Sequence, residues 1–251
     1  SRKDLPPGQT RHGYMQYYPQ GALEILNVMN CYFEYTGDTA FRDSTLLPFG
    51  KEILDYYRLH WPRTAEGKLC FTEITSLEQA TKTTNPAPDI AGLRAILPKL
   101  AACTQDARLR SIWTNMLADL PPLPMKESNG HQILTLAEKT PARVSGFEKP
   151  ELYAVFPYRL FGVGRPDLDL GLETWRQRGN QGTGGWQQDA IQAAMLGLTN
   201  DAKTYVTQNY ERTSAGFRFQ AMWGPNYDWI PDQDHGCVPM SAMQSMLLQP
   251  V

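Results

Sequence analysis

The stretch Ala22-Leu-Glu-Ile-Leu-Asn-Val-Met-Asn-Cys-Tyr-Phe-Glu-Tyr-Thr-Gly-Asp38 decides the fold class, because its apolar residues recur at helical spacing and a helix stop signal follows them. The recurrence at i, i+3, i+4 and i+7 predicts a helix over residues 17–36 with one apolar stripe. The stripe consists of Ala22, Ile25, Leu26, Met29 and Phe33.

A second helix is predicted directly after the first. Gly37 suits the position beyond a helix C-terminus, where the backbone turns left-handed, and Asp38 can cap the next helical segment. That segment is predicted over residues 46–60, with Pro48 in the first turn, where proline is tolerated. The short connection predicts an antiparallel αα-hairpin. The stripe of the second helix consists of Phe49, Ile53 and Tyr57.

The remaining patterns predict an all-α chain with long loops and minor β elements. Asp89 is expected to cap a helix over residues 90–102, whose partner over 106–120 is stopped by Pro121-Pro-Leu-Pro124. No run of βαβ units appears, which disfavours a parallel-sheet architecture. Further helices are predicted over residues 167–178, 186–197, 201–210 and 238–249, short strands within 68–74 and 132–136, and loops over 61–87, 125–150, 179–185 and 211–235.

Length and composition narrow the function classes. At 251 residues the chain can bury one large core, so a single domain over residues 1–251 is predicted. A net charge of −2 gives no reason to expect nucleic acid or an anionic membrane as partner. No apolar run approaches the roughly 20 residues that span a bilayer. The four cysteines lack CxxC spacing, so no zinc site is expected, and we predict neither a metal nor a cofactor.

The stretch Trp223-Gly-Pro-Asn-Tyr-Asp-Trp-Ile-Pro-Asp-Gln-Asp-His-Gly236 concentrates acidic and aromatic side chains between glycines and prolines. Aromatic rings stack on the C–H faces of sugars, and carboxylates accept hydroxyl hydrogen bonds or act as acid and base. An apolar helical pattern comes directly after it. The stretch therefore indicates a carbohydrate site at the mouth of a helical core.

Several stretches resemble a branch of the six-hairpin, or (α/α)6-barrel, glycosidases. They are Tyr35-Thr-Gly-Asp38, Asn85-Pro-Ala-Pro-Asp-Ile-Ala-Gly92, Pro150-Glu-Leu-Tyr-Ala-Val-Phe-Pro-Tyr-Arg159 and Trp223-Gly-Pro-Asn-Tyr-Asp-Trp229. More distantly, Asp232-Gln-Asp-His-Gly236 with Met246-Leu-Leu-Gln249 is similar to the end of the alpha-L-fucosidase and alpha-L-galactosidase barrel. The resemblance implies an (α/α)6 toroid lacking its first hairpins, with the missing N-terminal part as a partner. It also implies an extracellular or periplasmic protein.

The resemblance further implies an inverting glycoside hydrolase with Glu78 as general acid and Asp232 as general base. Inversion requires carboxyl groups roughly 6.5–9.5 Å apart, so that water fits between base and sugar. Glu148 and Glu151, which flank Pro150, offer a second candidate acid. The candidates for substrate contact are Asn85, Glu151, Tyr153, Arg159, Trp186, Gln188, Trp223, Asn226, Tyr227, Asp228, Trp229, Asp234 and His235.

Two other functions remain open at this point. Helical toroids also host polysaccharide lyases, which act on uronic acids and would not need the carboxylate pair. A non-catalytic glycan-binding domain would keep the aromatic residues but tolerate loss of Glu78 and Asp232. The residues that a lyase would use are Tyr153, Arg159, Tyr227 and His235.

Overall fold

The computed structural model describes residues 17–78, 80–141, 144, 148–182, 187–211 and 234–249, with the side chains of 234 and 235 outside the description. Of these residues 57% are helical and 12% lie in strands, so the prediction of a mostly helical chain is confirmed. The chain divides into two compact units. The N-terminal unit contains the described residues up to Lys126 and those of Leu134–Gly146, and the C-terminal unit contains the rest.

The first helix, α1 (Gln20–Thr36), ends as predicted. Gly37 adopts a left-handed φ of 64°, and its N–H donates to the carbonyl of Phe33 at 2.8 Å. The predicted stripe is confirmed at Leu26 but not as a whole, because the buried face contains Leu23, Leu26, Asn27 and Asn30. Ile25, which was placed in the core, is 57% exposed. It belongs to an outward apolar face made of Ile25, Val28, Tyr32 and Tyr35.

The second helical segment begins earlier than predicted. Asp38 does cap it, since its Oδ1 accepts the N–H of Phe41 at 2.9 Å. The segment runs through α2 (Thr39–Phe41), a π-helical turn (Arg42–Leu46) and α3 (Leu47–His60). A π turn holds one additional residue and rotates the register of the helix after it. The buried face is accordingly Leu46, Gly50, Leu54 and Tyr57, rather than the predicted Phe49, Ile53 and Tyr57.

A small antiparallel sheet occupies the region predicted to be mostly loop. Strands β1 (Ile74–Ser76) and β2 (Ala80–Pro86) pair through Ile74↔Thr83 and Ser76↔Ala80. The prediction missed β2 because Ala-Thr-Lys-Thr-Thr-Asn-Pro has little apolar alternation. Its threonines are β-branched, however, and favour strands.

Two further strands form a hairpin, and a fifth completes the sheet. Strands β3 (Met125–Ser128) and β4 (His131–Leu134) pair across Asn129-Gly130, whose φ angles are 52° and 77°. Asn-Gly is the residue pair that favours such a two-residue turn. Strand β5 (Ala137–Lys139) pairs with β2, so the three-stranded sheet has the order β1-β2-β5.

Two helices of the N-terminal unit, α4 (Ala87–Cys103) and α5 (Ala107–Asp119), form the second predicted hairpin. Asp106 caps α5, accepting the N–H groups of Arg108 at 2.8 Å and Leu109 at 3.1 Å. The prediction that Asp89 caps α4 is wrong. The helix begins three residues earlier than predicted, after Pro86, so Asp89 lies inside the first turn and is buried.

The C-terminal unit is built around one fully buried helix. It contains a 3₁₀ turn (Pro150–Leu152), α6 (Leu168–Arg176), α7 (Asp189–Met195), α8 (Thr199–Glu211) and α9 (Asp234–Leu247). Every residue of α7 is buried, and the helix packs against α8 and α9.

Helix α9 starts four residues before the predicted 238, which corrects the loop predicted up to residue 235. Pro239 lies inside the helix, in its second turn. Within the described part of the chain, no helix has the length and apolarity to cross a membrane.

Gly162 tests the close packing of the C-terminal unit. A Cβ at this position would lie 2.9 Å from the carbonyl oxygen of Met195, and the backbone has a φ of 146°. Because neither the carbonyl nor that φ accommodates a side chain, Gly162→Ala is expected to lower the free energy of unfolding by about 2 kcal/mol or more. Urea unfolding followed by circular dichroism measures the change.

The matched control is Gly179→Ala in the same unit, where a Cβ would meet no atom within 4 Å. This control is expected to change the unfolding free energy by less than about 0.5 kcal/mol, as surface substitutions usually do. Equal effects of the two substitutions would contradict the close contact at Gly162.

Candidate functional site

Each unit buries one aspartate in the first turn of a helix, and chemically active side chains gather around it. In the N-terminal unit the residue is Asp89 of α4, and in the C-terminal unit it is Asp189 of α7. Both are 0% exposed. We call the residues around them the Asp89 cluster (Asp89, Tyr57, Trp61, Phe71) and the Glu151 cluster (Glu151, Lys149, Arg178, Asp189).

Within the described part of the chain, one side chain forms a hydrogen bond with Asp89. The hydroxyl of Tyr57 donates to its Oδ1 at 2.5 Å, and its Oδ2 has no partner among the described residues. Burial raises the pKa of Asp89 to about 7, and the hydrogen bonds from Tyr57 and from its own backbone offset this only in part. Asp89 therefore exchanges its proton near neutral pH.

Aromatic rings pack around Tyr57, the hydrogen-bond partner of Asp89. The ring of Tyr57 lies 5.4 Å from that of Trp61 and 5.7 Å from that of Phe71, and the latter two are 5.3 Å apart. The indole N–H of Trp61 is used structurally, donating to the carbonyl of Thr72 at 3.0 Å. Burial and the charge of Asp89 also raise the pKa of Tyr56. The cluster is thus a buried, proton-binding core rather than an open site.

Asn85, a predicted substrate contact, holds the backbone beside this cluster. It has a left-handed φ of 51° and exchanges two hydrogen bonds with Phe71. The backbone N–H of Asn85 donates to the carbonyl of Phe71, and its Oδ1 accepts the N–H of Phe71, both at 2.8 Å. The remaining amide atom, Nδ2, donates to Glu138 at 2.7 Å. Every hydrogen-bonding atom of its side chain therefore serves the fold.

Glu78, the predicted general acid, lies in the turn between β1 and β2 and is exposed. Its neighbour Ser76 is buried, with an Oγ that has no partner among the described residues. The strand pairing brings Glu78 to one end of β2 and Asn85 to the other. The structure therefore places Glu78 just before β2 and Asn85 near the other end of that strand, and it does not bring the two predicted residues together.

The Glu151 cluster is organised by Asp189. Lys149 Nζ lies 2.5 Å from Asp189 Oδ2, and Arg178 Nε lies 2.8 Å from Asp189 Oδ1. The three side chains are at most 2% exposed, so these ion pairs are screened little by solvent. Removing one partner of such a pair would leave a buried, uncompensated charge.

Arg178 extends the network to two other helices. Its Nη1 donates to the carbonyl of Trp175 at 2.6 Å, and its Nη2 donates to the hydroxyl of Tyr205 at 2.9 Å. The guanidinium also lies 3.6 Å from the ring centroid of Trp175, a cation–π contact. The residues after α6, the start of α7 and the middle of α8 therefore meet at Asp189.

Glu151 lies in the 3₁₀ turn next to this network and is half-buried. Burial raises the pKa of its carboxyl. A hydrogen bond from its own backbone N–H, Lys149 and Arg178 oppose the increase, whereas Asp189 adds to it. A carboxyl with a raised pKa and partial access to solvent has the properties of a proton donor.

The other predicted residues of the C-terminal unit have mixed environments. Tyr153 is only 5% exposed and lies against Tyr158, with the ring centroids 6.3 Å apart. Arg159 is partly exposed and has a φ of 51°. Gln188 directly precedes α7, and its carbonyl accepts the N–H of Ile191 at 3.0 Å. Glu151, Tyr153 and Arg159 thus share one segment.

The remaining predicted residues cannot be placed in the site. Trp186, Trp223, Asn226, Tyr227, Asp228, Trp229 and Asp232 lie outside the described residues. The backbone of Asp234 and His235 forms the first turn of α9, but their side chains lie outside the description. Among the described residues, no group of three His, Cys, Asp or Glu side chains has the arrangement of a metal site.

Sequence analysis missed Lys149 and Arg178. A signal was present in α7, where Asp189 heads the otherwise uncharged Ala-Ile-Gln-Ala-Ala-Met195. An acidic residue at the start of an uncharged, mostly apolar helix needs either a cation or a proton once the helix is buried. Its partners come from distant positions, so sequence spacing does not identify them.

Comparison with known proteins gives no family assignment. The sequence matches no protein-family model, and it matches no curated protein sequence with significance. The resemblance to six-hairpin glycosidases therefore stays a hypothesis, which depends on the four stretches that carry it and on the C-terminal similarity.

Asp89 makes the stability of the chain depend on pH. The pKa of the Asp89 carboxyl is 3.8 in its ordinary state and about 7 in the folded chain. As the pH rises, the unfolded chain therefore loses this proton before the folded chain does. The stability that Asp89 contributes is complete below pH 4 and is lost as the pH rises to about 7. The side chain in Asp89→Asn does not ionise, so this variant does not lose stability in that pH range. Its amide oxygen can still accept the hydrogen bond from Tyr57. The variant should therefore gain up to about 4 kcal/mol relative to the wild type between pH 4 and pH 8.

Urea unfolding of both proteins at pH 4.5 and pH 8 measures this gain. Asp169→Asn is the control, because Asp169 is an exposed aspartate in the first turn of α6. It should leave the pH dependence of the wild type unchanged. A constant difference between Asp89→Asn and the wild type at both pH values would show that Asp89 is ionised throughout.

Proposed function

We propose that the chain is a glycoside hydrolase, or the helical part of one, in which Glu151 is the general acid. The observation that carries the proposal is the environment of Glu151, which is half-buried with a raised pKa beside a buried network of charges. Glycoside cleavage needs such a group, because the leaving oxygen must receive a proton as the bond breaks.

The second carboxylate of the mechanism is Asp232, as the resemblance to the fucosidase family implies. With Asp232 as base, a water molecule attacks the anomeric carbon from the side opposite to the acid and inverts the anomer. Glu78 remains the alternative acid, since it is exposed and accessible on its turn. We favour Glu151 because burial near neighbouring charges adjusts a carboxyl for proton donation.

The substrate in this proposal is an oligo- or polysaccharide. The aromatic residues Trp223, Tyr227 and Trp229 supply stacking surfaces for sugar rings, and Asn226 and Asp228 supply hydrogen-bonding groups between them. Arg159, on the same segment as Glu151, adds a cation for a polar or acidic sugar. The leading substrate class is a fucoside or galactoside, as the family resemblance implies.

The proposed architecture is an (α/α)6 toroid of which this chain forms a part. Helical pairs support it, since α4 packs on α5 and α7 packs on α8. As the family resemblance implies, the proposal includes an extracellular or periplasmic location. Its partner in the proposal is the part of the barrel that contains the remaining hairpins.

Four variants assayed on two classes of substrate test the proposal. Glu151→Gln should lower the hydrolysis of natural glycans at least about 100-fold, because it cannot donate a proton. It should retain most activity on dinitrophenyl glycosides, whose leaving group needs no proton. Asp232→Asn should abolish both activities. Proton NMR of the first product formed should show the inverted anomer.

Glu78→Gln and Glu211→Gln complete the set. Glu211 is exposed at the end of α8, so Glu211→Gln should leave both activities unchanged. If Glu78→Gln shows the substrate-dependent loss and Glu151→Gln does not, Glu78 is the acid. Ultraviolet absorbance of an unsaturated product would identify a lyase, and a folded chain that releases no sugar would contradict the proposal.

A further inference from the structure

We propose that Asp189 is the positioning residue of Glu151. It fixes the turn that carries Glu151 and neutralises the two cations beside its carboxyl. This inference rests on the proposed function, since it assigns a role in adjusting the general acid, but it can be measured without any activity. Asp189 itself is 0% exposed and is expected to make no contact with substrate.

The first step is mechanical and runs through Lys149. The carbonyl of Lys149 accepts the N–H of Leu152 at 2.9 Å, and this bond closes the 3₁₀ turn containing Glu151. The side chain of the same residue ends 2.5 Å from Asp189. One residue therefore connects the turn of Glu151 to the start of α7, and its side chain is buried along with Asp189.

The second step anchors Asp189 to the rest of the unit. Arg178 joins its other carboxylate oxygen at 2.8 Å and is itself held by the carbonyl of Trp175 and the hydroxyl of Tyr205. The carboxylate thus bridges two cations from different parts of the chain. Because Nε, Nη1 and Nη2 each have a partner, the planar guanidinium is held in one orientation, and it holds Oδ1 of Asp189 in turn.

The third step is electrostatic. The charged groups of the described residues that act on Glu151 are Lys149 and Arg178, which lower its pKa, and Asp189, which raises it. Lys149, Arg178 and Asp189 together carry one net positive charge. Without the carboxylate of Asp189, the two cations would carry two positive charges in a buried region where charges are weakly screened. Glu151 would then lose its proton more readily and serve less well as an acid.

This arrangement predicts changes of opposite sign in two variants. Asp189→Asn removes the negative charge and should lower the pKa of Glu151 by about one pH unit. Lys149→Gln removes one cation and should raise it by a similar amount. Loss of packing alone would loosen the turn in both variants and move the pKa in one direction. The opposite signs therefore distinguish positioning by charge from a structural role.

The experiment is a carbon-13 NMR titration of the full chain labelled at glutamate carboxyl groups. Comparison with the spectrum of Glu151→Gln assigns the signal of Glu151. Asp201→Asn is the matched control, because Asp201 is also an aspartate in the first turn of a helix, α8. It should leave the titration of Glu151 unchanged. Circular dichroism establishes that each variant is folded.

Three results would overturn the inference. The first is a wild-type Glu151 whose pKa is at or below the ordinary value of a glutamate. The second is an unchanged pKa of Glu151 in folded Asp189→Asn. The third is a lower pKa of Glu151 in Lys149→Gln. If Asp189→Asn does not fold, the wild-type and Lys149→Gln titrations decide the question. A pair of opposite changes in a chain that hydrolyses no glycan would uphold the coupling of Asp189 to Glu151 and reject the proposed hydrolysis.

Discussion

The burial of a carboxylate at the start of a helix is the constraint on which both units depend. A charged group inside a protein is costly unless it is paired or gives up its charge, and the chain uses one solution in each unit. Asp189 pairs with Lys149 and Arg178. Among the described residues, the hydroxyl of Tyr57 makes the one side-chain hydrogen bond to Asp89, and the raised pKa of Asp89 allows it to become neutral instead.

The two solutions have different consequences for function. Asp89 is fully buried behind Tyr57, so it couples stability to pH. The Asp189 network lies next to Glu151, which is only half-buried and therefore combines an altered proton affinity with access. A partly exposed group beside a buried charge network is better placed for catalysis than a fully buried group within it, because substrate must reach the reacting group.

Local signals in the sequence identified the helices and some of their ends. Gly37 and Asp38 act through neighbours within a few residues, and their roles were predicted correctly. The starts of α4 and α9 and the buried faces of α1 and α3 were predicted less well, because they depend on what each helix packs against. Lys149 and Arg178 escaped prediction entirely. Their role depends on contacts with Asp189 that lie beyond the few residues a local pattern spans.

The order of the residues along the chain gives the Asp189 network a kinetic consequence. During synthesis Lys149 and Arg178 leave the ribosome before Asp189 does, and Tyr205 emerges later. Until then the two cations have no anion to neutralise them, and neither can be buried at low cost. The contact of Lys149 with Asp189 also closes a long loop, and contacts of that kind form slowly. The turn that carries Glu151 therefore becomes ordered late, so a truncated nascent chain would not yet hold Glu151 in its folded position.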